Sequence, residues 1–110
     1  MSPVPLKPFI FDILLSLADG ERHGWALTQE IRERTGDRVD PGNLYRALRT
    51  MLDAGLIEES SRRPAPDLDD ERRRYYRITA DGRHAAQEEI GRLEAVLRTA
   101  KSKRWVKGRS

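Results

Sequence analysis

The strongest constraint on the fold lies in residues 40–55, where both ends of a helix are marked. Asp40 suits the N-cap, Pro41 suits the first helical position, and Gly55 follows the end. At about 100° per residue, such a helix has one apolar and one largely polar face. The apolar face consists of Leu44, Ala47, Leu48, Met51 and Leu52. The outward face consists of Gly42, Asn43, Arg46, Arg49, Thr50 and Asp53. One side of this third helix therefore faces a core, and the other is left for a partner.

Two helices are predicted before it. Residues 9–18 are apolar on nearly all sides, so the first helix must be covered on most of its faces. The second helix runs from about Gly24 to Arg34, with Gly36 as its stop. The capped helix is thus the third of a closely spaced set.

Two short segments after the third helix have the composition of β-strands. Leu56 to Ser60 and Arg74 to Thr79 are rich in β-branched and aromatic residues. The segment between them is polar and carries two prolines and four acids. We expect an antiparallel hairpin, which would form a wing beside the third helix.

A last helix is predicted to begin at Thr79, an N-cap candidate that is followed by Asp81 in the first turn. Its apolar residues alternate spacings of four and three, as in the seam of a coiled coil. The seam residues are Ala86, Ile90, Leu93, Leu97 and Ala100. We expect this seam to form a homodimer whose last helices also cover the first helix.

Charge is distributed unevenly along the chain. Charged residues make up 35% of the 110 residues, yet the net charge is only +3. From residue 98 onward there are six Lys or Arg and no acid, which leaves fifteen basic and eighteen acidic side chains before it. A uniformly basic clamp is excluded, so any contact with nucleic acid must use local arginine clusters and this basic tail.

Catalysis and metal binding find no support in the sequence. The chain has no Cys, and its two histidines, His23 and His84, lack neighbouring ligands at metal spacing. No Ser/His/Asp set, paired carboxylates or glycine-rich phosphate loop is present. We therefore expect no enzyme, cofactor or metal. The lack of a leader and of a long apolar stretch predicts a cytoplasmic protein without a membrane segment.

The predicted order of elements is that of a winged helix-turn-helix, a mainly α fold with a small β-hairpin, in which the third helix enters the major groove. We assign residues 1–80 to this DNA-binding domain, 81–104 to a C-terminal dimerisation helix and 105–110 to a basic tail. Asn43 can form paired bonds to adenine, whereas Arg46 and Arg49 can reach phosphates or guanine. Tyr45 lies between the two faces, where its hydroxyl can meet a phosphate. The alternative to a DNA-reading role is that the outward face of the third helix is an ordinary solvated surface.

Successive motifs of the chain resemble those of the PadR family over roughly residues 8 to 83. These motifs are ILLSLADG at 13–20, HGW at 23–25, PGNLYRAL at 41–48, LDAGLIE at 52–58 and DDERRRYYRIT at 69–79. The resemblance implies a transcriptional regulator, usually a repressor, with a C-terminal dimerisation helix. By its length the chain is similar to the branch with a single such helix.

The resemblance also implies which residues meet double-stranded DNA. Residues 41–54 would be the recognition helix. Its contacts with DNA under this resemblance would be Asn43, Tyr45, Arg46 and Arg49. We add Thr50, because it lies on the same outward face. Arg73 and Arg74 would be contacts of the wing. Two residues depart from the family pattern, because Trp25 stands where Tyr is common and Arg46 where many members have Pro.

An aromatic residue near the C-terminus lines a ligand pocket between subunits in some members of the family. Trp105 is therefore a candidate for an effector pocket, although a tryptophan in a basic tail is more often a packing residue. Two functions stay open beside each other. One is a dimeric repressor on an inverted-repeat operator, and the other is a winged helix that binds an acidic protein partner through its wing and tail.

Overall fold

The computed structural model describes residues 6–60 and 74–107. Within these ranges the chain forms four helices and three short strands. In chain order they are α1 (Pro8–Ser16), β1 (Arg22–His23), α2 (Gly24–Thr35), α3 (Pro41–Asp53), β2 (Ile57–Glu59), β3 (Tyr75–Ile78) and α4 (Ala80–Ser102). The predicted mainly α winged-helix class is confirmed, with element ends within two residues of those expected. None of the helices in the described ranges is long and apolar enough to cross a membrane.

The three strands form one antiparallel sheet in the order β1, β3, β2. Ile57 pairs with Ile78 at one edge of β3, and Arg22 pairs with Tyr76 at the other. Sequence reasoning missed β1, because a strand of two residues is too short to show an alternating pattern. Residues 61–73, the predicted connection of the wing, lie outside the described residues.

Side chains cap three of the helices. His23 Nδ1 accepts the amide proton of Ala26 at 3.0 Å and begins α2. The predicted caps are confirmed, since the Asp40 carboxylate accepts from the Asn43 amide at 3.1 Å and the Thr79 hydroxyl from the Gly82 amide at 3.0 Å. These bonds satisfy amide groups that the helix itself leaves without partners.

The core is built from the inner faces of all four helices and the sheet. Its most buried members are Ile13, Leu14, Leu17, Leu27, Ile31, Leu44, Leu48, Met51 and Ile57. Helix α1 packs against α2, α3 and α4 of the same chain. The last helix was expected to cover α1, and the chain's own α4 does pack against it, so that the inner residues of α1 are buried within one chain; cover by a partner's helix stays a prediction.

The beginning of α4 is docked on the turn between α3 and β2. The Thr79 amide donates to the Leu56 carbonyl at 3.1 Å, and the Thr79 hydroxyl donates to the Gly55 carbonyl at 2.6 Å. A Cβ atom on Gly82 would lie only 2.0 Å from the Leu56 carbonyl oxygen. Only glycine allows this approach of backbone to backbone, so the direction of α4 relative to α3 is fixed at this joint.

Candidate nucleic-acid interface and dimer surface

Helix α3 presents a polar surface opposite its buried face. Leu44, Leu48 and Met51 are at most 1% exposed. The predicted outward residues Asn43, Arg46, Arg49 and Thr50 are all exposed. The side of the helix that was expected to meet DNA therefore points away from the core.

The first turn of α3 holds a compact polar cluster. An Nη2–H group of Arg46 donates to the Oδ1 atom of Asn43. The same guanidinium lies over Gly42, since a Cβ atom there would be 3.5 Å from Arg46 Nη1 and 3.3 Å from Asp40 Oδ2. Sequence reasoning placed both residues on one face but did not anticipate that they bond to each other, because the bond depends on side-chain rotamers.

Tyr45 is half-buried and locks α3 against α2. A Cβ atom on Gly24 would be 3.0 Å from the Tyr45 hydroxyl oxygen and 3.2 Å from its Cε1. A larger residue at position 24 would push the tyrosine ring outward. The predicted place of Tyr45 between the two faces agrees with its partial burial.

Trp25 is a surface residue that sequence reasoning noted only as a departure from the family pattern. It lies in the first turn of α2, beside the Gly24–Tyr45 contact, and is 58% exposed. Leu27 and Ile31 are one helical turn apart and face the core, and this spacing could have predicted that Trp25 lies on the exposed side of α2.

The described arginines of the wing are paired with carboxylates. Arg77 bonds to Glu58 across the sheet at 2.7 Å, and Glu21 lies 3.9 Å away. Arg74 Nε lies 3.8 Å from Glu59. The Arg77–Glu58 pair is exposed and contributes little stability, so Arg77 can exchange a carboxylate for a phosphate at small cost. Arg73, predicted to contact DNA, lies outside the described residues.

The second half of α4 carries an exposed apolar stripe. Four of its side chains are between 39% and 52% exposed. We call Ile90, Leu93, Val96 and Leu97 the α4 stripe. Ala100, a predicted seam residue, is half-buried at its end. Ala86 was also expected in the seam, but it is only 8% exposed and packs in the chain's own core.

Helix α4 ends in a turn that orders the following tryptophan. The Trp105 amide donates to the Ala100 carbonyl and the Arg104 amide to the Lys101 carbonyl, both at 3.0 Å. Arg104 has a φ of 61°, the left-handed conformation that closes such a Schellman turn. Trp105 itself is 81% exposed, so the described part of a single chain does not enclose it in a pocket.

A buried carboxylate joins the N-terminal segment to the middle of α4. Glu89 accepts the Leu6 amide proton at 3.2 Å and two bonds from Arg92, at 3.0 and 2.6 Å. The hydrogen bonds from Arg92 lower the pKa of Glu89 below its ordinary value, and Glu89 raises the pKa of Arg92. The sequence pattern of α4 did not predict this buried pair, because charged residues on a helix are normally assigned to its solvent-exposed face.

No trio of His, Asp or Glu side chains within residues 6–60 and 74–107 could hold a metal ion. His84 bonds to Glu88 at 2.7 Å on the exposed side of α4, one turn away. This contact within one helix fits a structural role for His84.

The fold and the exposed face of α3 define a winged-helix transcriptional regulator, and comparison with known proteins agrees. The profile of the Transcriptional regulator PadR-like family matches residues 13–88. The chain belongs to this family. Membership implies DNA binding, and the family consists of transcriptional regulators rather than enzymes.

Individual relatives are similar over most of the chain. Transcriptional regulator Rv3488 of Mycobacterium tuberculosis is 42% identical over 86 residues, which span 78% of this chain and 76% of that protein. The structure of RosR from H. salinarum has 31% identity and a TM-score of 0.64, covering 86% of this chain and 76% of its own. A PadR family regulator from Clostridium difficile R20291 shares the fold at 20% identity, with a TM-score of 0.74 and coverages of 87% and 97%.

Proposed function

We propose that this chain is a cytoplasmic, homodimeric repressor that binds an inverted-repeat operator in double-stranded DNA through α3 and the wing. The observation that carries the proposal is the two-faced α3. One face buries Leu44, Leu48 and Met51 completely. The opposite face exposes Asn43, Arg46, Arg49 and Thr50 at the position where winged helices enter the major groove.

The α4 stripe supports the homodimer. Four apolar side chains, each more than a third exposed on one side of a protruding helix, are unfavourable in water. Pairing two copies of the stripe removes them from solvent. A two-fold axis between the copies presents two recognition helices to the same side of DNA, about 34 Å apart, which requires an inverted repeat.

Local arginines and the basic tail supply the contacts to phosphates in this proposal. The body of the chain is slightly acidic, so attraction to DNA comes from the wing and from the six Lys and Arg of residues 98–110. Arg73, Arg74 and Arg77 would clamp the backbone, while Tyr45 would reach a phosphate from the edge of α3. Binding should weaken steeply with salt, as expected for phosphate contacts.

Repression and effector control rest on the resemblance to the family. An effector that binds between the subunits, with Trp105 in its pocket, would change the spacing of the two recognition helices and release DNA. The exposed, ordered position of Trp105 at the end of α4 fits this role. A reporter gene with the operator at its promoter should be silenced by the wild-type protein, whereas activation would contradict the repressor role.

Selection of bound fragments from random double-stranded DNA tests the proposal directly. We expect an inverted repeat, bound more tightly than bulk DNA by several kcal/mol. The alternative of a winged helix that binds an acidic protein predicts no preferred sequence. Recovery of random fragments would therefore contradict a sequence-specific regulator.

Arg49→Ala tests the interface at one residue. The substitution should weaken operator binding about 5- to 150-fold in a gel shift, because a base or phosphate contact is lost. Arg83→Ala is the matched control, since it removes an exposed arginine of α4 that is outside the proposed interface. Equal affinity of the two variants would remove Arg49 from the DNA contacts.

A further inference from the structure

A groove of about 190 Å³ separates α3 from the strands of the wing. On its buried side it is apolar, with Leu48 from α3 and Tyr76 from β3. Three charged residues also line it, namely Arg49, Glu59 and Arg74. The groove therefore brings together charged side chains of the proposed recognition helix and of the proposed wing.

Arg49 lies on the edge of the outward face of α3 that borders this groove. Tyr45, one turn earlier, lines the groove as well. At about 100° per residue, Arg49 is about 40° from Tyr45 around the helix axis and about 120° from Asn43, with Arg46 midway between Arg49 and Asn43. Arg49 thus belongs to the edge beside the wing, whereas Asn43 belongs to the opposite edge.

Arg74 reaches the same groove from the residue before β3. Its nearest carboxylate oxygen, Glu59 Oε1, lies 3.8 Å from its Nε, which is longer than a hydrogen bond. Within residues 6–60 and 74–107 the guanidinium of Arg74 makes no hydrogen bond, and its Nε is buried without an acceptor. The side chain as a whole is 42% exposed, so an anion from outside the chain can reach the guanidinium.

The charges of the groove match a single phosphate group. Two arginines and one glutamate give its described lining a net charge of +1. The planar fork of a guanidinium fits the oxygens of a phosphate, and a DNA strand carries one phosphate charge per nucleotide. We propose that the groove binds one phosphate of the DNA backbone, shared by Arg49 and Arg74, and that the charge of Glu59 weakens this contact. The inference rests on the proposed function and assigns Arg49 to the backbone rather than to a base.

The distance of Glu59 from Arg74 favours an opposing charge over an orienting one. A carboxylate that orients an arginine forms a short hydrogen bond with it, as Glu58 does with Arg77 at 2.7 Å. Glu59 forms no such bond with Arg74. Its negative charge still lies beside the place of the phosphate, where like charges repel. Glu59 should therefore lower the affinity for DNA of any sequence.

Arg49→Met and Arg74→Met test the shared phosphate, because methionine keeps much of the apolar stem and removes the guanidinium. Each should lower the affinity for the operator and for unrelated DNA by a similar factor, about 10-fold or more, since phosphate contacts carry no sequence information. Thermal unfolding should be unchanged. In the double variant, the loss should be smaller than the product of the two single losses, and the slope of log affinity against log salt should fall by about one. A full product, with a slope lower by about two, would mean separate phosphates and would overturn the shared site.

Glu59→Gln tests the opposing charge. It should raise the affinity for both DNAs about 2- to 10-fold at low salt, because a negative charge near the phosphate is removed. Glu94→Gln removes the same charge from an exposed position of α4 and should leave the affinity unchanged. A lower affinity of Glu59→Gln would show that the carboxylate supports the arginines and would overturn its opposing role.

Binding to unrelated DNA separates this inference from the function on which it rests. Asn43→Ala, at the opposite edge of α3, is the control for base reading and should lower the affinity for the operator alone. If Arg49→Met instead loses the preference for one base and keeps its affinity for unrelated DNA, Arg49 reads a base. The phosphate site is then overturned, and a sequence-specific regulator remains. If the wild type has no preferred sequence, the proposed function fails, and the affinities of the arginine variants for unrelated DNA still support or overturn the phosphate site.

Discussion

The two halves of α4 belong to different environments, although they form one continuous helix. In the first half, Gly82, Ala86 and Glu89 are buried against the body of the chain. In the second half, the α4 stripe faces solvent. The change occurs between Glu89 and Ile90, within a single turn.

One helix can therefore serve both the fold and the proposed assembly. The first half completes the winged-helix core, where close approach of backbones fixes its direction. The second half has apolar residues at helical spacing, and within residues 6–60 and 74–107 no surface of the chain covers them. We therefore propose that the dimerisation segment begins at Ile90, nine residues after the start at residue 81 that was predicted from the sequence.

Substituting one glycine in each half of α4 should give the largest difference in stability between the halves. Gly82→Ala would press a methyl group against the Leu56 carbonyl and should lower the free energy of unfolding by about 3 kcal/mol or more. Gly91→Ala meets no atom within 4 Å and should raise it by about 0.5–1 kcal/mol, because alanine favours the helix. Thermal unfolding at equal protein concentration compares the two variants, and similar melting temperatures would contradict the distinction between the two halves of α4.

A charge on the stripe should separate the protomers. Leu93→Asp would bury a carboxylate without a partner in the proposed interface and should weaken the dimer by more than about 100-fold. Ala95→Asp carries the same charge about 200° around the helix axis and should leave the dimer intact. Light scattering across a dilution series measures both, and an unaltered dimer mass for Leu93→Asp would rule out the stripe as the interface.

Arg104 tests how the exposed half of α4 ends. Its left-handed conformation is unfavourable for a residue with a side chain, so Arg104→Gly should stabilise the helix end by about 1 kcal/mol. Lys103→Gly, next to it at a φ of −94°, should instead be destabilising because glycine loses more conformational freedom. A lower melting temperature for Arg104→Gly than for the wild type would contradict the Schellman turn.

The smallest expected effect on stability is that of Glu89, which lies at the border between the two halves of α4, and this effect depends on pH. The pKa of Glu89 is below the ordinary 4.5, so its ionised form stabilises the fold above that pH, and the contribution is lost as the pH falls through the lowered pKa. Glu89→Gln keeps an acceptor for the Leu6 amide but no charge for Arg92. Its melting temperature should lie below that of the wild type at neutral pH and converge with it in acid.

Glu94→Gln, an exposed carboxyl on the second half of the helix, is the control for this comparison. It should follow the wild type across the same pH range. If the two glutamine variants behave alike, the contacts of Glu89 do not contribute measurably to stability.

Local rules predicted most of the fold. The caps at Asp40 and Thr79 and the stop at Gly36 depend on the chemistry of one or two neighbouring residues, and each was found where the sequence indicated. The two faces of α3 follow from helical spacing alone. These features require no knowledge of what lies across the core.

Features that depend on distant segments could not be predicted. Ala86 and Ile90 follow the same spacing, yet only one of them meets the core, because the distance over which α4 follows the body is set by the packing of α1. The bond between Arg46 and Asn43 depends on rotamers, and Arg104 in a left-handed conformation breaks the preference for glycine on which sequence rules rely.

The contact between Gly82 and Leu56 fixes the start of α4 relative to α3. The number of residues between this contact and the α4 stripe therefore determines where the stripe lies relative to α3. Eight positions separate Gly82 from Ile90, and inserting one residue between them would rotate the α4 stripe by about 100° and advance it by about 1.5 Å relative to α3. In a dimer joined by the stripe, that change would put the two recognition helices out of phase with the turns of the DNA. The length of this short segment would thus encode the spacing of the operator, without any residue in it touching a base.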